Sequence, residues 1–326
     1  MLDAINGFFK KPLVPFVFRI FTLLLFIALI ILGFSAHSED GSFLKQLRNT
    51  NLGGLLVWSY WWPLIVIAAI FFGRIWCTIC PAELLTSLSA KIGFKNKRPK
   101  WLLSGWGITI FFIVILFIGI RGFAIHRDPT FMAWYLISII GVSVIVGLIY
   151  EKNTFCRYVC PVGHLLGLYS RLSFFGWRVR NPDLCKGCKD KSCINKDHTY
   201  NLINKSCGVD LYPAQIDDNT ACILCGGCLN TCEKYNPNEV KGRPNPGFKY
   251  IGFAKDLYKI KPLLISEFFF LFVVSGFVIY EILSEWILTK KILMFIPDHV
   301  GKLFHVQHRV LLGIVESTIL FRFFRV

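Results

Sequence analysis

Two short stretches decide the architecture of this chain: GRIWCTICP at residues 73–81 and FCRYVCP at residues 155–161. Each closes an apolar run, and each ends in a cysteine pair followed at once by proline. Ahead of the first lie Leu13–Phe34 and Gly53–Phe72. Ahead of the second lie Trp106–Ile120 and Phe131–Tyr150. After each proline comes an apolar, serine-containing stretch, Ala82–Lys91 and Val162–Ser173. The unit of two spans, a cysteine pair, proline and an amphipathic helix therefore occurs twice. Repeats related by an axis along the membrane normal bring equivalent parts to one face. Cys77 and Cys80 are thus expected to meet Cys156 and Cys160 at one membrane surface. Proline is favoured at the first helical position. It would aim two helix N-termini, whose dipoles favour negative charge, at that meeting point.

Composition agrees with a membrane chain. Of the 326 residues, 54% are hydrophobic and 17% charged, against about 25% charged in an ordinary soluble domain. Disorder requires low hydrophobicity and is excluded. The chain is too long to need the disulfides of a small secreted scaffold. Runs near 20 apolar residues span a bilayer, which predicts five spans: the four above and Leu263–Tyr280. Leu303–Leu320 is just long enough for a sixth. His305, Arg309, Leu312 and Glu316 share one helical face there, which equally describes a helix lying in the interface. The N-terminal run is too long for a cleavable signal peptide, and no small-residue cleavage site follows it.

The Lys/Arg bias of short loops orients the spans. Lys10 and Lys11 precede the first span. Arg74, Lys91, Lys95, Lys97, Arg98 and Lys100 follow the second. The opposite loops carry fewer cations, Lys45 and Arg48 in one and Arg121 and Arg127 in the other. The N-terminus and residues 151–262 are therefore expected in the cytoplasm, in a multi-pass protein of the inner membrane. The net charge of +16 reflects this topology, and nucleic acid is not an expected partner. The cations after residue 285 run against the trend.

All 12 cysteines fall in segments assigned to the cytoplasm, where thiols stay reduced, so ligation explains them better than disulfides. Cys222-x2-Cys225-x2-Cys228-x3-Cys232 is the spacing of bacterial iron–sulfur runs, in which the fourth cysteine serves the other cluster. Cys185-x2-Cys188-x4-Cys193 and then Cys207 precede it. The crossed rule assigns one [4Fe-4S] cluster to Cys185, Cys188, Cys193 and Cys232, and the other to Cys222, Cys225, Cys228 and Cys207. Zinc ribbons also use C-x2-C pairs, but four cysteines within eleven residues suit a cubane better. The proline usual after the fourth cysteine is replaced by Gly208 and Glu233. For Cys77, Cys80, Cys156 and Cys160 three readings stay open: a third iron–sulfur cluster, a dithiol or Cu(I) site, or structural cysteines.

GRIWCTICP, FCRYVCPVGHLLGLYSRLS and the double ferredoxin run together resemble the NapH/NosR/CcoG group of membrane polyferredoxins, over roughly residues 10–240. The resemblance implies electron transfer at the cytoplasmic membrane, linked variously to quinol oxidation, to periplasmic nitrate or nitrous oxide reduction, or to copper reduction during oxidase assembly. NapH is the closest architecture. The chain departs from the group in its C-x2-C-P first copy, where C-x3-C-P is common. It also lacks the large periplasmic flavin domain of NosR and the β-rich extension of CcoG, and it adds a fifth span and tail to the four spans usual for NapH.

The expected fold is mainly α, with polytopic membrane helices and an inserted α+β dicluster ferredoxin-like domain. Residues 1–180 form the membrane domain, 181–262 the ferredoxin-like domain and linker, and 263–326 the last helices. No P-loop and no G-x-G-x-x-G after a strand is present, so a relay is expected rather than a complete enzyme, and no catalytic residues are assigned. The expected partners are membrane lipid, a cytoplasmic ferredoxin-like donor or the quinone pool, and a partner redox subunit. The alternatives are a copper reductase or assembly factor and a structural anchor of a redox complex. The hydrocarbon core is about 30 Å thick, so clusters on one face need a quinone or another cofactor to cross it. His164, close after Cys160, is the candidate proton or quinone contact. Glu267 and Glu281 are intramembrane ionisable candidates. His37, His126, His305 and His308 are expected to be solvated. Trp58, Trp61 and Trp62 read as an aromatic belt. Arg74 and Arg157 would offset cluster charge, and Lys186 and Lys189 flank the ferredoxin motif.

Overall fold

The computed structural model describes residues 2–36, 51–123, 125, 128–235, 245–259 and 264–284. Leu303–Leu320 and His37, His126, His305 and His308 lie outside the described residues. Among the described residues, three helices are long and apolar enough to cross a membrane: Leu13–Ser35, Leu52–Phe72 and Pro129–Ile149, with mean hydropathies of 2.7, 2.0 and 2.3. At 1.5 Å per residue each is about 30 Å long. Their outward faces are apolar: Val17, Phe21, Leu24, Leu64, Ile67 and Ile145 are exposed. The other two expected spans are also helical. Trp106–Val114 runs into a π-helix at Ile115–Gly122. The fifth forms the 20-residue helix Ile265–Ser284.

Local chemistry sets the helix ends. The Asp128 carboxylate accepts the Thr130 and Phe131 N–H groups at 2.8 and 3.3 Å, and Pro129 takes the first helical position. Such caps satisfy amides the helix itself leaves unpaired. Small residues then allow close crossings. A Cβ on Gly33 would lie 2.7 Å from the Pro129 carbonyl oxygen, and one on Gly147 would lie 2.8 Å from that of Thr86. The Pro129–Ile149 span therefore packs tightly against both Leu13–Ser35 and the helix Pro81–Ile92.

The cysteine-rich lobe hangs on a two-stranded antiparallel sheet, Phe175–Val179 with Pro246–Tyr250, in which Trp177 faces Phe248. Short helices, Pro182–Gly187 and Gly227–Tyr235, punctuate the loops between the strands. Phe9, Trp177, Leu224, Leu229 and Phe248 form the lobe's core. Phe9 comes from the N-terminal helix Leu2–Lys10. Asn6 fixes that helix by accepting the Phe248 N–H at 2.8 Å and donating to the Phe248 carbonyl at 3.1 Å. The sheet thus joins residues before position 180 to residues near 250, and the N-terminal helix completes the lobe.

A buried charge network ties span, repeat and lobe together. Arg19 of the first span, Glu83 of the Pro81 helix and Lys205 of the lobe are 4%, 1% and 7% exposed. Arg19 Nη1 lies 2.8 Å from Glu83 Oε2, and Lys205 pairs with the other carboxylate oxygen. Asn153 Nδ2 donates to Glu83 Oε1 at 2.7 Å, and Arg19 Nε donates to the Thr78 carbonyl at 2.8 Å. Burial alone would raise the Glu83 pKa, but Arg19 and Lys205 outweigh it and bring it to about 2. A depressed folded pKa stabilises above the ordinary carboxylate value of about 4.3. That stabilisation is lost as pH falls toward 2. Glu83→Gln leaves two buried cations unpaired and should cost about 3–5 kcal/mol. Thermal unfolding in detergent at pH 7 checks this, and the gap from wild type should narrow as pH falls through that window.

Candidate metal centres

The fold gathers the cysteines into three groups. Cys77 and Cys156 are buried in one core with Ala82 and Phe155, and Cys80 and Cys160 pack against it. Cys80 feels the charge of Cys77 and Cys160, and Cys156 feels that of Cys160, Cys80 and Cys77. Cys222 and Cys228 each feel Cys225 and Cys207. Cys193 feels Cys185, Cys232 and Cys188 ahead of Cys207. Cys185, Cys188, Cys193 and Cys232 line a cavity of about 30 Å³, with Cys228, Tyr212 and Asn245 also in its wall. That is more room than one water needs. Among the described residues, no three His, Cys, Asp or Glu side chains converge tightly enough to hold a single metal ion.

The two repeats build their thiols in the same way. Cys80 has φ −68° and ψ 130°, Cys160 has φ −66° and ψ 110°, and each sits at the N-cap of a helix that begins with proline. The Gly163 N–H donates to Cys160 Sγ at 3.2 Å, whereas at Cys80 the backbone carbonyl accepts the Glu83 N–H, also at 3.2 Å. A cap accepting the Gly163 amide is what an anionic sulfur supplies. The extra residue of the second copy is absorbed in a widened turn: the N–H groups of Val159 and Cys160 both bond the Phe155 carbonyl, at 3.0 and 2.8 Å. In the first copy Cys77 and Thr78 bond back three residues, to Arg74 and Ile75. The different spacing therefore leaves the two pairs together.

Arg74 lies between the pairs. Gly73, with φ +70°, turns the chain out of the second span to place it. Arg74 is 3% exposed. Its Nη1 donates to the Thr220 carbonyl at 3.0 Å, and its Nη2 to the Cys156 carbonyl at 3.1 Å. Its Nε is buried without a partner. Among the described residues no carboxylate pairs with it. Burial would lower its pKa, but Cys77, Cys160 and Cys156 more than compensate and hold the cation. The thiols show the converse. Burial, with crowding by neighbouring thiols, pushes Cys160 and Cys207 up to about 11 and Cys193 and Cys222 up to about 12. Thiols held so high become thiolates when a ligated metal supplies positive charge. The residues present therefore fit iron–sulfur ligation. Arg157 instead bonds the Val209 carbonyl and lies over the Tyr158 ring.

Side chains that no spacing rule marks also reach the sulfurs. Trp177 Nε1 donates to Cys228 Sγ at 2.9 Å, and Asn245 Nδ2 donates to Cys185 Sγ at 3.0 Å. His164 packs edge-on to Phe270 at 4.6 Å, with its Nε2 buried and unpartnered. Burial first, then Arg74 and Arg171, lowers its pKa to about 4. Glu267 pairs with Arg171 at 3.8 Å and caps its own helix at the Leu264 N–H. The tryptophans of the second span turn inward, unlike a lipid-facing belt. Trp61 meets Trp76 at 5.1 Å, and Trp62 packs with Leu165 and Phe270. Lys186 is exposed beside Asp183.

A family model described as a 4Fe-4S binding domain matches residues 55–100 and 132–182. These two stretches carry the second and fourth spans with their cysteine pairs. Uncharacterized protein MJ0749 of Methanocaldococcus jannaschii is 25% identical over 52% of this chain and 65% of its own length. Uncharacterized protein MJ0750 of the same organism is 24% identical over 52% of this chain and 73% of its own length. Protein NirI of Paracoccus denitrificans is 21% identical over 51% of this chain and 26% of its own length. The matches thus span about half of this chain and, in NirI, about a quarter of the relative. No solved structure matches the chain. The chain thus combines a match to a 4Fe-4S binding domain with helices apolar enough to cross a membrane.

The room for Arg74 depends on Gly163, where a Cβ would lie 2.6 Å from Arg74 Nη2. The guanidinium is pinned by two carbonyls and cannot yield freely. Gly163→Ala should cost about 1–3 kcal/mol by overpacking. Gly141→Ala, with open space at its Cβ, should be nearly silent in the same thermal unfolding assay.

Proposed function

We propose that this chain is a multi-pass inner-membrane protein that relays single electrons between a cytoplasmic ferredoxin-like donor or the quinone pool and a partner redox subunit. The observation that carries the reading is Arg74, a buried cation whose opposing charges among the described residues are the thiols of Cys77, Cys160 and Cys156. A cation buried there calls for anionic sulfur. Cys185, Cys188, Cys193 and Cys232 would hold one [4Fe-4S] cluster, Cys207, Cys222, Cys225 and Cys228 a second, and Cys77, Cys80, Cys156 and Cys160 a third. Bound there, each cluster accepts and releases one electron. The 4Fe-4S family model falls on both repeats, which favours the third cluster over the copper reading.

The residues also suggest an order. Thr78 Oγ1 donates to the Leu224 carbonyl at 2.9 Å, linking the Cys77–Cys80 turn to the Cys222–Cys225 loop. Cys207 and Cys225 pack on the core that holds Cys77 and Cys156. The Cys207 group is therefore the middle site, with the membrane-proximal site on one side and the Cys185 group on the other. Five spans with a cytoplasmic N-terminus and lobe follow from the apolar runs and the cation bias. His164, with an unpartnered Nε2 against the Ile265–Ser284 helix, is the proposed proton or quinone contact beside the third site.

Anaerobic iron and sulfide analysis with EPR redox titration tests the reading. Wild type should hold about twelve irons per chain, and a Cys77→Ser/Cys156→Ser variant about eight, as expected for loss of one four-iron cluster. About eight irons in both, with copper retained by wild type and lost by the variant, would move the function to metal handling.

A further inference from the structure

The small sheet has no part in ligation, yet it carries a donor to the middle group. We infer that Trp177 sets the reduction potential of the Cys207, Cys222, Cys225 and Cys228 cluster through its indole N–H; this rests on the cluster reading above. Trp177 is 1% exposed, and its Nε1 lies 2.9 Å from Cys228 Sγ. An indole N–H is a donor and nothing else, and when buried it takes an acceptor. A neutral thiol is a weak acceptor, whereas a thiolate is a strong one. The reduced cluster carries one more negative charge than the oxidised one. A hydrogen bond to its ligand sulfur therefore favours reduction and raises the potential.

The surroundings hold this ring in place. Trp177 faces Phe248 across the sheet. Phe9 meets the indole edge-on at 5.3 Å, and it also abuts the Cys225–Cys228 loop, where a Cβ on Gly226 would come within 3.0 Å of it. The next residue, Arg178, is tied to Asp256 at 2.8 Å and to Asn219 at 2.9 Å, so the strand cannot slide. The N-terminal helix thus gains a role beyond packing: it seats the indole against the sulfur. Asn245, one residue before the second strand, donates to Cys185 of the other lobe group. Trp177 therefore acts on one group selectively.

The test is an EPR redox titration of the full chain in detergent, comparing wild type with Trp177→Phe, which keeps a ring and removes the donor. The expected result is at least a tenfold loss in the reduction equilibrium of one cluster, 59 mV for one electron, with the other midpoints unmoved. An unmoved midpoint in a variant with full iron content overturns the inference and leaves the relay reading standing. Equal shifts of every midpoint also overturn it, because they report general loosening. Pulsed EPR of reduced wild type labelled with ¹⁵N at the tryptophan indoles gives a second readout that does not require the variant to fold. A coupling to one indole nitrogen supports the inference, and its absence overturns it. Wild type without iron or sulfide overturns the inference together with the relay reading.

Discussion

The structure depends on keeping crowded thiols in a poorly solvated interior. Cys77 and Cys156 are buried and Cys80 and Cys160 half-buried, and burial penalises the charged form of such sulfurs. The chain answers with fixed positive electrostatics at the membrane-proximal group: the Arg74 guanidinium and two proline-started helix N-termini that follow Cys80 and Cys160, the second capped by the Cys160 sulfur. The Arg19–Glu83–Lys205 network leaves one further positive charge in the same neighbourhood. Most of the local geometry follows from this need. Gly73 turns the chain to place Arg74, Gly163 leaves it room, and the Thr220 carbonyl holds one end of it.

The same constraint explains how membrane part and lobe are joined. The relay proposed above needs neighbouring sites held at fixed separation. The contacts between them are polar and directional, buried at Thr78 and Glu83 and exposed at Asp210. Thr78 bonds Leu224, Arg19 and Lys205 share Glu83, and Asp210 receives Arg98 and Lys152. The N-terminal helix adds an apolar clamp through Phe9. Each joint crosses the boundary between a span or its flanking loop and the cysteine-rich loops. Rigidity is therefore concentrated where the groups approach one another.

Much of this was legible in the sequence because cysteine spacing, apolar run length and proline position are one-dimensional signals with direct physical meaning. The iron–sulfur run, the doubled cysteine-pair unit and the Leu13–Ser35, Leu52–Phe72 and Pro129–Ile149 helices could all be read that way. Arg74 was visible beside Cys77, although positive-inside topology explained it equally well. The apolar runs did not reveal the π-helical turns at Leu55–Trp61 and Ile115–Gly122, because hydropathy does not register a change from α to π geometry. The aromatic belt failed because composition cannot say which way Trp61 and Trp62 point. Packing against Trp76 and the Pro161–Tyr169 helix turns them inward.

By itself, then, the sequence determined the membrane class, the ligand chemistry and the repeat, since these depend on neighbours along the chain. Tertiary structure decided what depends on residues far apart in sequence. It paired Arg19 with Glu83 and Lys205, left Arg74 without a carboxylate among the described residues, and aimed Trp177 at Cys228 across 51 residues. It also placed the N-terminal helix under the lobe. None of these pairings has a periodicity or spacing to reveal it. They arise because a buried charge or a buried N–H must find a partner wherever the fold can bring one.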